Sequence, residues 1–266
     1  MNFLKLKKYY IYTYLLLFRY KFYDHFINLV FLKIKNLFTS YEIIERGKNE
    51  KIRSEEICNI KFLENDFFFK NLSKNKLNFN IFENELKIHQ QQYNESFKKK
   101  GPGNLYLLFF CSNLISAKNI LETGVADGWS SLAFLIYLRQ IGGKLTSIDM
   151  PYLNSFSKYK CGKIINKNLR TSWELIIKPD TSGIKILSNL SRRFDLIHYD
   201  SDKSIEGRKK NYPKLWKMLN IGGIFISDDI SDNMSFFNFC HKNNLKYHVV
   251  KYENKFQGVV FKDRIK

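Results

Sequence analysis

Apolar residues change their spacing along this chain near residue 100. Before it, Phe79, Phe82 and Leu86 fall three and four apart, and Leu77, Ile81 and Ile88 keep helical spacing too. Strand-like alternation is scarce there and Gly47 is the single glycine, so residues 1–100 read as a helical N-terminal extension. The three lysines at 98–100 and Gly-Pro-Gly at 101–103 punctuate its end. Beyond them, short apolar runs that end in glycine or aspartate alternate with longer mixed ones. Helices are expected over 105–116, 130–141, 181–190 and 204–218, the last with Pro213 as a kink. Strands are expected over 119–124, 144–149, 172–177, 194–200 and 222–229. A helix at about 234–243 then leads to strands at 245–252 and 257–262, joined by a turn at Glu253, Asn254 and Lys255. Five parallel strands alternating with helices, followed by a hairpin, give an α/β fold. Its doubly wound, mostly parallel, seven-stranded sheet would have an antiparallel last strand and occupy residues 101–266.

The motifs sit at the strand ends. In Glu-Thr-Gly-Val-Ala-Asp-Gly-Trp-Ser-Ser (122–131), Gly124 lets the chain turn sharply and Gly128 lets backbone approach a ligand. This spacing differs from the G-x-G-x-x-G of dinucleotide sites, and Asp127 would repel an anion. Asp149 closes the second strand, where a carboxylate can accept both hydroxyls of a ribose. Asp180 lies beyond the third strand, where it can cap a helix and reach an adenine edge. Trp129 would pack over such a ligand or against the sheet. Asp200 and Asp202 end the fourth strand, and Asp228 and Asp229 end its neighbour. Four converging carboxylates repel one another unless protons or a cation relieve them, and Mg²⁺ suits oxygen ligands. Alternatively, Asp202 and Ser204 cap the next helix. His198 reads as a core residue rather than a base.

These stretches, with Leu-Thr-Ser-Ile-Asp-Met at 145–150 and the run from 194 to 230, resemble the class I S-adenosylmethionine-dependent methyltransferases, with their Rossmann-like sheet. The likeness covers about 105–262. It points to the branch of small-molecule and sugar O-methyltransferases that includes the macrocin-type enzymes. The resemblance implies S-adenosylmethionine as donor, with Glu122, Gly124 and Ser130 on its methionine side, Asp149 on the ribose and Asp180 near the adenine. Asp200, Lys203, Asp228 and Asp229 are similar to the site of the metal-dependent catechol and caffeoyl-CoA O-methyltransferases. That implies Mg²⁺ held by Asp200, Asp228 and Asp229, and Lys203 as general base. Two departures bear on this. Many sugar-modifying relatives have His where Lys203 stands, and the last catechol-type ligand is often Asn where Asp229 stands.

Composition changes the picture mainly through charge. The 266 residues are 44% hydrophobic and 26% charged, which is ordinary, but the formal charge is +19. The basic excess means either a polyanionic partner or a codon bias that favours Lys, Asn, Ile, Phe and Tyr. Residues 1–40 contain seven Lys or Arg and one acid, Asp24. The uncharged run 9–18 is too short to span a bilayer, and no signal-peptide cleavage site follows. Residues 1–40 could therefore lie on an anionic membrane surface, or pack on the protein or on a second copy in a homo-oligomer. Four well-separated cysteines suggest reduced thiols in a cytoplasm. The expected partner is a small-molecule or glycan acceptor. The rival readings are an RNA methyltransferase, which lacks the N/D-P-P-Y/F motif of amino-methylating enzymes, and a non-catalytic membrane-surface protein on the same fold.

Overall fold

The computed structural model describes residues 10, 12–19, 21–37, 41–73, 79–100, 102–150 and 161–263. A π-helical turn at Leu15–Arg19 precedes helices α1 (Tyr23–Leu37) and α2 (Tyr41–Lys61). Strand β1 (Phe62–Glu64) and helices α3 (Asn65–Leu72), α4 (Asn80–Gln92) and α5 (Asn94–Lys100) complete the first hundred residues. Leu77 and Gly101 lie outside the described residues.

Alternation follows. Helix α6 (Leu105–Leu114), β2 (Asn119–Thr123), α7 (Trp129–Ile141), β3 (Lys144–Asp149) and β4 (Trp173–Ile177) come first. Then come α8 (Asp180–Asn189), β5 (Phe194–Tyr199), α9 (Ile205–Met218), with Pro213 inside it, and β6 (Leu219–Ser227). Helix α10 (Ser235–Lys242), β7 (Tyr247–Tyr252) and β8 (Lys255–Phe261) end the fold.

The sheet has eight strands in the order β1-β7-β8-β6-β5-β2-β3-β4. β8 runs antiparallel to both its neighbours, as the hairpin predicts, and the other pairings are parallel. Seven strands were expected. The eighth, β1, comes from the stretch read as helical and pairs in parallel with β7. Its three residues are too few for alternation to register.

The direction of winding reverses between β2 and β5, which are adjacent. In a doubly wound sheet the crevice outside the carboxyl ends at such a reversal is where ligands bind. Both faces are covered. On one, α7 packs nearly all its residues into a core with α6, α3 and α4 that includes Phe68, Phe82, Phe109 and Phe134. On the other, α8, α9 and α10 contribute Ile184, Leu187, Tyr212, Leu215 and Phe236. Phe82 and Leu86 are the buried stripe of α4, while Ile81 and Ile88 face solvent. The expected boundary at residue 100 thus coincides with no break in the core. The four cysteines are buried and unbridged.

Candidate active site

The tips of β2 to β6, the loops after them and residues of α1 line an open cavity of about 1600 Å³. A small-ligand pocket is commonly about 300–1000 Å³, so this open cleft exceeds the space that one small ligand needs. The wall includes Gly124, Val125, Ala126, Trp129, Ser130, Asp149, Asp180, His198, Asp200, Lys203 and Asp228. Glu122, Gly128 and Asp229 do not line it.

The loop after β2 turns tightly against β5. Gly124 has φ +85°, and a Cβ on it would meet the Asp200 carbonyl oxygen at 2.3 Å. Gly128 has φ +106°, and a Cβ there would meet the Gly162 Cα at 2.9 Å. Both glycines therefore admit the protein's own backbone; the expectation that Gly128 makes room for a ligand gives way to this packing. Ala126, at φ 49°, turns its N–H to the Asp149 carboxylate at 2.8 Å, and the Met150 N–H donates to the other oxygen at 2.7 Å. The Cys161 thiol and the Val125 N–H also donate to this carboxylate, so the loop itself orients it at the cavity wall. Burial raises the Asp149 carboxyl above its ordinary range despite these bonds.

Behind the loop, Glu122 is fully buried and accepts from the hydroxyls of Ser130 at 2.5 Å, Ser131 at 2.5 Å and Ser147 at 2.7 Å. Burial pushes its carboxyl up, and the three hydroxyls work against that. Glu122 thus orients Ser130, which lines the cavity. Asp127 is paired with Lys163 at 3.1 Å and accepts from Ser96 at 2.6 Å. Ser96 also accepts from the Trp129 indole at 3.2 Å, with Phe97 edge-on to that ring. Helix α5 so braces the glycine loop, which sequence spacing gave no means to foresee.

Asp180 is the first residue of α8, and Pro179 rather than Asp180 stands at the cap position, so the expected capping role is not the one it takes; one of its oxygens accepts the neighbouring Thr181 N–H at 2.5 Å. Its other oxygen accepts from Ser201 at 2.8 Å and Asn211 at 3.0 Å. Asp202 accepts its helix's Ser204 N–H at 3.0 Å, and Ser204 caps α9 through Gly207, so the capping alternative holds for this pair.

Asp200, Lys203, Asp228 and Asp229 come together as the spacing predicts, but in a different relation. The Lys203 Nζ lies 2.8 Å from Asp200 and also donates to Asp229. Lys255 stands 3.8 Å from Asp229, and the buried His198 Nε2 is 3.3 Å from Asp228. Burial would lower the Lys203 amine, but the Asp200 charge and hydrogen bonds to Asp200 and Asp229 outweigh it and hold it above the usual lysine range. Burial and the Asp228 charge push Asp200 up to about 6 against the pull of Lys203. Its side chain is 31% exposed, so solvent at its edge tempers that shift. Burial would also raise Asp228, but His198 beside it brings it below the ordinary range. His198 is itself raised: Asp228 outweighs the effect of burial.

This arrangement does not fit the Mg²⁺ site that the resemblance implies. Among the described residues, no group of three His, Cys, Asp or Glu side chains is disposed to hold a metal ion. Asp200 and Asp229 already face a lysine ammonium, Asp228 faces the His198 imidazole, and Lys203 occupies the space between Asp200 and Asp229. The repulsion that called for a cation is relieved from within the chain.

Sequence reasoning missed Arg208. It is fully buried, and one nitrogen donates to the carbonyls of Asp228 at 2.9 Å and Asp229 at 2.7 Å. These bonds pin a turn in which Asp229 takes φ 49°. A signal existed: Arg208, Asn211, Tyr212, Leu215 and Met218 share the buried face of α9 at helical spacing.

Comparisons with known proteins bear on the fold that carries these residues. Residues 121–230 match the family described as a methyltransferase domain. A curated relative, tricin synthase 2 of Oryza sativa subsp. japonica, is 26% identical over 156 residues, covering 56% of this chain and 51% of that protein. The chain therefore matches about half the length of that relative. Among solved structures, the O-methyltransferase from Bacillus cereus in complex with SAH superposes with a TM-score of 0.51 at 16% identity, covering 73% of this chain and 96% of that one. TomG from Streptomyces achromogenes, an O-methyltransferase in complex with SAM, gives a TM-score of 0.51 at 14% identity over 70% of this chain and 91% of its own. These two share the fold.

Proposed function

We propose that this chain, whose residues 121–230 match a methyltransferase domain, transfers a methyl group from S-adenosylmethionine to a hydroxyl of a small-molecule or sugar acceptor. The observation that carries the reading is the placement of Asp149 and the Asp200–Lys203 pair at the tips of β3 and β5 around one cavity. The former offers carboxylate oxygens to a ribose beside the glycine loop. The latter offers a cation and a carboxylate to a hydroxyl in the same space. The relatives named above, one bound to SAH and one to SAM, support the donor.

In the transfer, a bond forms between acceptor oxygen and methyl carbon as the bond from that carbon to sulfur breaks. The sulfonium becomes a neutral thioether, and the hydroxyl proton goes to a base. Lys203 is held protonated, so it serves as a cation rather than as the base expected of it. Two of its three N–H groups engage Asp200 and Asp229, and the third can steady the developing alkoxide. Asp200, raised and next to it, is the group suited to take the proton. Alignment of oxygen, carbon and sulfur supplies the rest of the rate. No step is routed through Mg²⁺, because its candidate ligands are committed to Lys203, Lys255 and His198.

Isothermal titration with S-adenosylhomocysteine, followed by methyl transfer from labelled donor to a panel of phenols, catechols and sugars, tests this. Binding together with label transfer to oxygen is expected. A full-length, folded chain that binds neither donor nor product would overturn the reading.

A further inference from the structure

The N-terminal helix presents two different faces. Leu15, Leu16 and Phe22 are buried against Leu29 and Met150, at the carboxyl end of β3. On α1, Tyr23, Ile27, Phe31 and Ile34, spaced by four, four and three residues, are instead 51%, 63%, 66% and 49% exposed. Phe18, before the helix, is 68% exposed. A single apolar side chain in water needs no explanation, but a continuous stripe along one helix face does.

The stripe is continuous with the active site. Ile27 and Phe31 also line the cavity, together with the exposed side chains of Lys185, Lys209 and Lys210. Asp24, Asp202 and Glu206 share that rim, so the rim itself is mixed in sign. The basic excess comes from the segment as a whole, with seven Lys or Arg against one acid in residues 1–40, on a chain of charge +19.

Charge selects the occupant. Two copies joined through this face would set two strongly basic segments against each other. Tyr23 and Phe31 offer rings to nucleic-acid bases, but the Ile27 and Ile34 that alternate with them along the stripe do not, and a base-stacking surface leaves those aliphatic side chains in water. An anionic bilayer accepts both features: apolar side chains enter the acyl boundary while Lys and Arg meet the headgroups. Helix α1 has 15 residues, and among the described residues no helix is long and apolar enough to cross a membrane. The geometry fits lying on the surface.

We propose that this chain docks on an anionic membrane surface through the exposed apolar face of α1, with the mouth of the cavity turned toward the lipid. The test is co-sedimentation of the full chain with vesicles of phosphatidylcholine alone or mixed with phosphatidylglycerol. Binding is expected to the mixed vesicles, to fall steeply with salt, and to weaken at least tenfold in a Phe18→Ser/Ile34→Ser variant. Neither side chain lines the cavity, so S-adenosylhomocysteine affinity and melting temperature should stay as in wild type. This readout is independent of catalysis: loss of nucleoside binding with lipid binding intact would count against the methyltransferase reading only. No sedimentation with anionic vesicles, equal binding to both vesicle types, or full binding by the variant would overturn the docking proposal. So would a doubled mass in light scattering that the variant abolishes, or salt-sensitive RNA binding without vesicle binding.

Discussion

Replacing Gly124 by alanine probes the contact that joins the glycine loop to the acidic strand tip. The added Cβ would lie 2.3 Å from the Asp200 carbonyl oxygen and 2.7 Å from its carbon. Both are backbone atoms at the end of a central strand, so no side-chain rotation can relieve the clash. The backbone conformation at φ +85° adds a separate cost, of about 1–3 kcal/mol for a non-glycine residue. Overpacking typically contributes a further ~1–3 kcal/mol. The variant should therefore lose roughly 2–6 kcal/mol, a large part of a domain stability of about 5–15 kcal/mol. Gly222→Ala supplies the comparison: φ is +81°, and nothing lies within 4 Å of its added Cβ. Only the backbone cost applies there. Urea unfolding of both variants gives the difference, expected to be about 1–3 kcal/mol. Relief of the clash must move Asp200 and Ser201 away from the loop. Titration should accordingly show S-adenosylhomocysteine affinity reduced by about tenfold or more in Gly124→Ala and nearly unchanged in Gly222→Ala. Equal destabilisation of the two variants would refute the close approach as the reason for glycine. Native affinity in Gly124→Ala would refute its bearing on the site.

Asp149→Asn should weaken S-adenosylhomocysteine by about 10–100-fold, since charge-assisted hydrogen bonds to a ribose are each worth roughly 1.5–3 kcal/mol; titration reads it. Lys203→Met should bind S-adenosylhomocysteine normally but transfer methyl at about 1% of the wild-type rate or less, in line with losing one transition-state donor. Wild-type turnover should survive EDTA, and loss of activity on chelation with recovery on Mg²⁺ would show that Lys203 gives way to a metal. Arg208→Leu should cost roughly 2–5 kcal/mol in urea unfolding, because it strands the carbonyls of Asp228 and Asp229. His25 is depressed mainly by burial, with Asp180 and Asp202 opposing. A depressed histidine stabilises the packed state above its unfolded pKa, about 6.5, and loses that contribution as pH falls through its folded value. Proteolysis near α1 should increase as pH falls below about 6.5 in wild type, and His25→Phe should flatten that dependence.

The alternation of strand and helix was legible because β2, β3, β5 and the second half of β6 are buried on both faces and end in a local signal, whereas β4, at the sheet edge, is only half-buried. Those signals are Gly124 after β2, Asp149 ending β3, Asp200 after β5 and Asp228 after β6. The direction of β8 was legible from the hairpin, where Tyr252 pairs with Lys255 across a two-residue turn. What escaped notice depends on residues distant in sequence. β1 is a strand only because β7 offers it an edge. Ser96 reaches Asp127 across 31 positions, a distance at which pattern carries no information. Arg208 sits in a run with Lys209 and Lys210 that looks like a solvated basic face until the helical stripe is traced through it.

The acidic tips show how a sound inference can reach an unsound particular. Clustered carboxylates do require positive charge, and the strand ends disclosed the carboxylates because they are local features. The source of the positive charge is not local. It comes from Lys203 three residues on and from Lys255 at the start of β8, with the His198 imidazole inside β5 beside Asp228. Once Lys203 supplies that charge, its role as a base fails for the same reason that the cluster is stable. The attraction that holds its ammonium between Asp200 and Asp229 also raises the cost of a neutral amine. Burial, and with it the Asp228 charge, acts on Asp200 in the opposite sense, raising the cost of the carboxylate and making it a better proton acceptor near neutral pH. Neutralising the cluster and dividing the acid–base roles are therefore one electrostatic arrangement, and a substitution that disturbs either should disturb both.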